Sequence, residues 1–475
     1  MELDKKAKFK KFTHGYTFKI LMLILLVLLL LIPLAMIRGM INERNRTADS
    51  AEAGIMEAWG SELVAAGPFL AIPGVRTEET RTRTEREGEK TETIKKQFTL
   101  IIAPKKLDIA ADFKTEIRKR GIFSVPLFYG ELGFSGGFDS AAALATLVHG
   151  EEVFFNQAEL IIALSSQKGI RRIEKAVFGD GGDLFFLPGN QGLNVVNFTK
   201  WSGDRIYGDK VYFDTASIQT GSGIYAAAPE YNGKESGFDI VISMQGGQLV
   251  RFLPIGQDTH VKVATDWASP SFQGSFLPSG SNITDNGFDA EWDISYLSRD
   301  IPLYWKNEAG GRDGRDYSHS LFGVDFFRAI DTYSLNTRAV KYAILFLIVP
   351  FLTLFLLEIF TKKRIHPVPY LLSGIANVIF YLLLLSLSEQ MPFFLAYLTG
   401  AVSVTVLLTL YSRALLPSWN KSWYMGLVVS LSYVLLYAVL NAESYALLIG
   451  SIGAFAVVAL VMFLTRRLDW YGSDE

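Results

Sequence analysis

"ILMLILLVLLLLIPLAMI" (Ile20–Ile37) is an uninterrupted apolar run of 18 residues lying behind a tail that carries Lys5, Lys6, Lys8, Lys10, Lys11 and Lys19. The run is longer than the ~7–15 apolar residues of a cleaved signal peptide, and no A-x-A site follows it. It therefore reads as an uncleaved signal anchor over 20–40. A bilayer core needs about 20 apolar residues in a helix. Five further stretches reach that length, at 339–360, 368–388, 393–412, 422–441 and 444–465.

Positive charge in short loops stays on the cytoplasmic side. An N-terminus inside also puts Lys362-Lys363-Arg364, the 413–421 loop with Arg413 and Lys421, and Arg466-Arg467 inside. The two short outer loops, 388–392 and 441–444, hold no Lys or Arg. The expected organisation is a cytoplasmic tail (1–19), an anchor (20–40), a periplasmic domain (41–337), a five-helix bundle (338–465) and a second cytoplasmic tail (466–475).

Composition fits this division. The chain has 475 residues, 49% of them hydrophobic, and no cysteine, which excludes disulfides, thiolate metal sites and a Cys nucleophile. Residues 42–341 hold 32 Lys/Arg against 40 Asp/Glu, a net of −8. An acidic outer domain argues against a nucleic-acid partner, which selects a basic face.

Inside the outer domain, residues 47–63 continue the first helix outward. The periodicity then changes to short apolar runs punctuated by Gly, Pro and Asn, at 67–75, 97–104, 124–138, 158–166, 182–189, 238–246 and 260–267. Residues 76–96 alternate Thr with charge around Glu87-Gly88-Glu89, the pattern of a solvated hairpin. No regular βα alternation is present. The fold class expected is an α+β membrane protein, with six transmembrane helices and a large β-rich, antiparallel, sandwich-like domain between the first and second.

Catalytic motifs are weak. Gly133-Phe134-Ser135-Gly136-Gly137 matches G-x-S-x-G, but strand alternation runs straight through it, where a nucleophile elbow would break the strand. Five histidines, none sharing an i, i+4 spacing, give no helical metal site. The expectation is a non-enzyme with no cofactor. Ionisable or amide groups inside spans are functional candidates by default, which singles out Glu358 and Asn377. Glu358 precedes Lys362 by four residues, the favourable order for a local ion pair. Asn336 reads as the N-cap of the second span.

Several segments resemble the CreD family of bacterial inner-membrane proteins: "LLLLIPLAMIR" (28–38), "GPFLAIP" (67–73), "DWASPSFQGSFLP" (266–278), "YSLNTRAVKYAILF" (333–346), "RIHPVPYLLSGIANVIFYLLLLSLSE" (364–389) and "MFLTRRLDWY" (462–471). The resemblance implies a role in envelope integrity or stress, linked to the Cre two-component regulon, and brings no catalytic residue set. The shared blocks hold Asp266, Trp267, Arg338, Lys341, His366, Glu389 and Trp470, each with an interface or structural reading. Pro367 after His366 suits the first turn of the third helix. The partners expected are the lipid bilayer, a periplasmic envelope protein or peptidoglycan-related ligand, and a membrane sensor kinase. Two alternatives to partner binding by the outer domain stand beside it. One is a transporter or lipid-handling protein acting through the bundle, and the other is a membrane partner of the kinase.

Overall fold

A computed structural model describes residues 16–60, 62–84, 88–179, 182–193, 195–196, 205–207, 210–212, 222–308, 316–326, 332–361, 363–415, 419–442 and 445–466. The chain divides into a helical unit, Met1–Asp49 with Ile330–Glu475, and a strand-rich unit, Ser50–Ala329.

The helical unit contains α1 (Tyr16–Trp59, whose end belongs to the other unit), α2 (Thr332–Thr361), α3 (Pro367–Ser388), α4 (Phe393–Leu415), α5 (Trp419–Asn441) and α6 (Ala446–Thr465). The first five are long and apolar enough to cross a bilayer, and α6 carries the apolar stretch Leu448–Phe463. Helices form here because hydrocarbon offers backbone groups no partner outside the segment. Helix α2 packs against α3 and α5, α3 against α4, α4 against α5, and α5 against α6. Leu30, Leu34, Ile37 and Ile41 of α1 join the same core as Phe346, Phe351, Phe380 and Leu436. At Gly374 a Cβ would overlap both Leu30 and Phe351, so a small residue lets three helices approach. The outward faces stay apolar, as at Leu25, Leu395, Leu431 and Phe455, the arrangement lipid rather than water selects.

The strand-rich unit holds two large sheets. The first contains β1 (Leu63–Thr84), β2 (Gly88–Ile102), β5 (Glu151–Val153), β6 (Glu159–Leu164), β9 (Phe186–Pro188), β12 (Gly223–Ala227), β14 (Leu249–Phe252), β16 (Pro270–Gly274), β19 (Tyr304–Glu308) and β20 (Phe322–Phe326). The second contains β3 (Lys106–Arg120), β4 (Phe123–Phe138), β7 (Ile170–Phe178), β8 (Gly182–Asp183), β13 (Ser236–Gly247), β15 (Asp258–Thr265), β17 (Gly280–Thr284) and β18 (Gly287–Ser295). A separate hairpin pairs β10 (Arg205–Tyr207) with β11 (Lys210–Tyr212). Alternation aims Leu107, Ile109, Ala111 and Phe113 of β3, and Phe288, Ala290, Trp292 and Ile294 of β18, into one core shared by both sheets. Aromatic rings bridge the sheets: Phe128 lies 5.4 Å from Phe326, and Trp292 lies 5.6 Å from Phe322 and 5.8 Å from Phe272.

The expected antiparallel arrangement needs one correction, because both sheets are mixed. Strand β1 runs parallel to β14, with Leu63 opposite Val250, and β3 runs parallel to β15, with Lys106 opposite Asp258. Parallel neighbours need long crossovers, and the connections here run through most of the domain. The β1–β14 pair has a consequence for the insertion. Strand β20 lies antiparallel to β14, with Leu249 opposite Asp325, so the entering end of β1 and the leaving end of β20 meet at the same edge. They are two strand spacings apart, about 10 Å.

The G-x-S-x-G segment lies within β4, paired with both β3 and β13. Gly136 has φ +154° and its Cβ would overlap the Lys106 carbonyl, so close strand approach accounts for a glycine there. The polar Gly-rich segment 308–316 lies, apart from its two ends, outside the described residues.

One buried carboxylate ties the first sheet together. Glu151 on β5 has no solvent-exposed side chain and accepts from Arg76 of β1 at 2.7 Å, from Lys306 of β19 and from the Val148 amide at 3.0 Å. Burial alone raises a carboxyl, but the bonds from Lys306, Val148 and Arg76 outweigh it and hold Glu151 at about 2. The folded value lies below the unfolded one, so this stabilisation is present above the ordinary Glu range and is lost as pH falls towards 2. Glu151→Gln is expected to cost about 2–3 kcal/mol and to flatten the acid limb of stability. Denaturant unfolding followed from pH 7 to pH 3 measures both effects.

Candidate functional site

Among the described residues, candidate polar side chains of the bundle lie at three levels, and the level in the middle follows from a proline. Pro350 has no N–H, so the carbonyl four residues earlier, that of Phe346, loses its helical partner. Nothing in hydrocarbon replaces that partner except another protein group. Asn377 of α3 supplies it, its Nδ2 donating to the Phe346 oxygen at 2.9 Å. The other end of the same amide, Oδ1, accepts from the Tyr433 hydroxyl of α5 at 2.8 Å. The Tyr397 hydroxyl of α4 donates to the Tyr433 carbonyl at 2.6 Å. Phe380 packs between, 4.5 Å from the Tyr433 ring and 5.4 Å from that of Tyr397. Four helices thus meet around one amide.

The second layer lies at the start of α1. Glu358 of α2 is buried, and both carboxylate oxygens are taken by other helices. Lys19 of α1 donates to Oε1, and the Tyr370 hydroxyl of α3 donates to Oε2 at 2.7 Å. Lys19 also donates to the Ile365 carbonyl at 3.0 Å and sits 5.6 Å above the Tyr370 ring. The expected local partner, Lys362, lies outside the described residues. The observed partner is 339 residues away in the chain, a separation no spacing rule reaches.

At the opposite end of the bundle, Glu389 caps α3, paired with Arg44 of α1 at 3.4 Å and hydrogen-bonded by the Tyr333 hydroxyl at 3.4 Å. Asn336 is not the N-cap of α2, because that helix begins four residues earlier at Thr332. Instead Asn336 is buried and donates to Ser388 Oγ at 2.8 Å, a bond that rewards the extra helical turn.

The remaining candidates are dispersed. Asp266 accepts from the Thr115 amide and hydroxyl, both at 2.7 Å, and closes a corner of the strand-rich unit. Trp267 packs edge-on to Phe326 and donates to the Ser269 carbonyl at 3.0 Å. His366 is the N-cap of α3, with Pro367 opening that helix, and its ring accepts from the Val368 amide at 3.4 Å. Arg338 is half-buried on α2 and Lys341 is exposed. Trp470 lies outside the described residues. Among the described residues, no three His, Cys, Asp or Glu side chains are grouped to hold a metal.

A profile of the family described as Inner membrane protein CreD matches residues 15–471, from the start of α1 to beyond α6. The chain belongs to the CreD family. Over 442 residues it is 28% identical to Inner membrane protein CreD of Escherichia coli (strain K12), covering 93% of this chain and 90% of that one. Membership makes this CreD chain a multi-pass inner-membrane protein, and all three polar layers fall within the matched span.

The polar layers act as clamps between helices. Asn377→Leu strips both the Phe346 carbonyl and the Tyr433 hydroxyl of a partner, and is expected to cost about 1–2 kcal/mol of bundle stability. Pro350→Ala returns an N–H to that carbonyl, so Asn377→Leu should cost at least about 0.5 kcal/mol less in its presence. Thermal unfolding of the four chains of this cycle in detergent measures the coupling, and strict additivity would refute the link.

Proposed function

We propose that the chain is a non-enzymatic envelope-integrity protein whose strand-rich domain faces the periplasm and binds an envelope partner, a protein or a peptidoglycan-related ligand. The bundle holds that domain at the membrane. The observation that carries this is that Glu358 and Asn377, the two polar groups singled out within the spans, are bonded inside the chain. Glu358 has both oxygens bonded, and Asn377 has both ends bonded, to other parts of the same chain. A transport site needs groups that exchange their partners for cargo, and these are committed to holding helices. Support for this orientation comes from the basic residues Lys363, Arg364, Arg413 and Arg466 in the short segments expected on the cytoplasmic side.

A second reading, transport or lipid handling through the bundle, draws on the Lys19–Glu358 pair, since ionisable groups within spans often line a pathway. The two readings separate by complementation of a deletion strain, scored by detergent sensitivity and dye leakage. Under the first, full-length chains with Glu358→Gln or Asn377→Ala restore the barrier once corrected for expression, as does an exported chain of residues 1–331. If Glu358→Gln inserts and folds yet fails to rescue, the transport reading takes over. Orientation has its own test, because the chain has no cysteine. Leu297→Cys should react with an impermeant maleimide in cells with a permeabilised outer membrane, and Arg364→Cys only after lysis.

A further inference from the structure

A hollow of about 460 Å³ opens on the face of the first sheet formed by β12, β6, β1, β2 and β19. Its cause is side-chain size. Ala227, Glu159 and Ala71 lie side by side across three strands, and the two alanines leave the Glu159 side chain flanked by space. The volume is in the range of small-molecule sites, a few hundred Å³, and its lining mixes polar with apolar side chains.

Among the described residues, Glu159 is the single charge lining the hollow. It is partly withdrawn from water, which raises its carboxyl above the ordinary range, and no cation of the described residues pairs with it. Its one hydrogen bond among them comes from Gln191 Nε2 at 3.5 Å. Gln191 is held in the left-handed region, φ 51°, a conformation a non-glycine residue adopts at a cost. Buried Asn190 fixes that turn, donating to the Leu193 carbonyl at 2.7 Å and accepting from the Gly192 amide at 3.1 Å. Thr99 and Asn307 add neutral hydrogen-bonding groups to the opposite wall.

We propose that this hollow binds a small polar molecule bearing a primary amine, with Glu159 meeting the ammonium group and Gln191, Thr99 and Asn307 holding its uncharged polar groups. An ammonium supplies the counter-charge that Glu159 lacks, and a molecule of this size satisfies the neutral wall at the same time. The inference rests on the reading that the strand-rich domain is the binding part, and narrows its partner to an amine-bearing ligand.

The test is titration calorimetry on the full-length chain in nanodiscs, with two matched pairs of probes. Cadaverine is compared with 1,5-pentanediol, and glucosamine with N-acetylglucosamine. At least one amine should saturate a single site per chain, about ten- to hundredfold tighter than its neutral counterpart. Glu159→Gln should abolish that preference with the melting temperature unchanged, while the exposed Glu152→Gln keeps it. Ala227→Phe, which fills the hollow and leaves the carboxylate in place, should block binding, and it stands in if Glu159→Gln does not fold. Binding should weaken on acidification at a pH above the ordinary Glu range, as the carboxylate takes up a proton. Absence of binding by both amines, or an unchanged preference in Glu159→Gln, overturns the inference. Either result, with barrier rescue by residues 1–331 intact, would leave the reading of the domain standing.

Discussion

Hydrocarbon supplies no hydrogen bonds, and four helices of the bundle are linked around a backbone carbonyl that a proline leaves without its helical partner. Pro350 frees the Phe346 oxygen, and Asn377 answers it from the neighbouring helix. Once that amide is placed, its other end fixes Tyr433, and Tyr397 bonds to the Tyr433 backbone. The rotations of α2, α3, α4 and α5 about their axes are therefore linked through one chain of polar contacts. The apolar surroundings would permit many rotations, since Leu packs on lipid as readily as on Leu. Directional bonds select one. The Lys19–Glu358–Tyr370 set does the same for α1, and Arg44–Glu389 repeats it at the other end.

Fixing α1 beside α2 is a separate difficulty, because a whole domain intervenes. Closing a flexible loop of this length costs about 5 kcal/mol. A folded insertion avoids most of that cost only if its two ends lie together. The parallel pairing of β1 with β14 achieves this, because it brings the first residues of β1 to the edge where β20 ends. An entirely antiparallel meander with the same strand order gives no such guarantee. The mixed sheet is thus tied to the domain's position in the chain, between two helices that share a core.

Membrane spans were legible in the sequence because length and apolarity act locally, and the strands at 67–75, 124–138 and 238–246 were legible because apolar runs between Gly and Pro are short. Strands β3, β7 and β18 escaped notice. In β3, Leu107, Ile109, Ala111 and Phe113 alternate with Asp108, Ala110 and Asp112, and Lys106, Lys114 and Thr115 flank them, so no continuous apolar run marks the strand. Those charges are what the exposed face of a strand carries, so the signal was present and was outweighed by composition. The parallel pairings and the partner of Glu358 were not legible at all, since each joins segments more than a hundred residues apart. The hollow beside Glu159 shares this fate, as its walls come from separate strands and one loop. Pro350 and Asn377 are intermediate: each was visible as an oddity within a span, and only the fold shows that one answers the other.

Three buried or half-buried carboxylates separate what holds the chain together from what remains open to a ligand. Glu151 gathers two cations and a backbone amide, and every lone pair it could offer an outside group is occupied. Glu358 in the bundle has a donor on each oxygen, an ammonium and a phenol. Among the described residues, Glu159 has only a long bond from an amide whose own backbone is held in a costly conformation. Burying a carboxylate is unfavourable unless hydrogen bonds and counter-charge compensate. The first two are compensated from within the chain, so their loss should appear in stability. The third is compensated least, and its remaining demand points outward. Saturation of the carboxylate, more than its depth, distinguishes a clamp from a site, and by that criterion Glu159 is the one of these three with room for an outside donor.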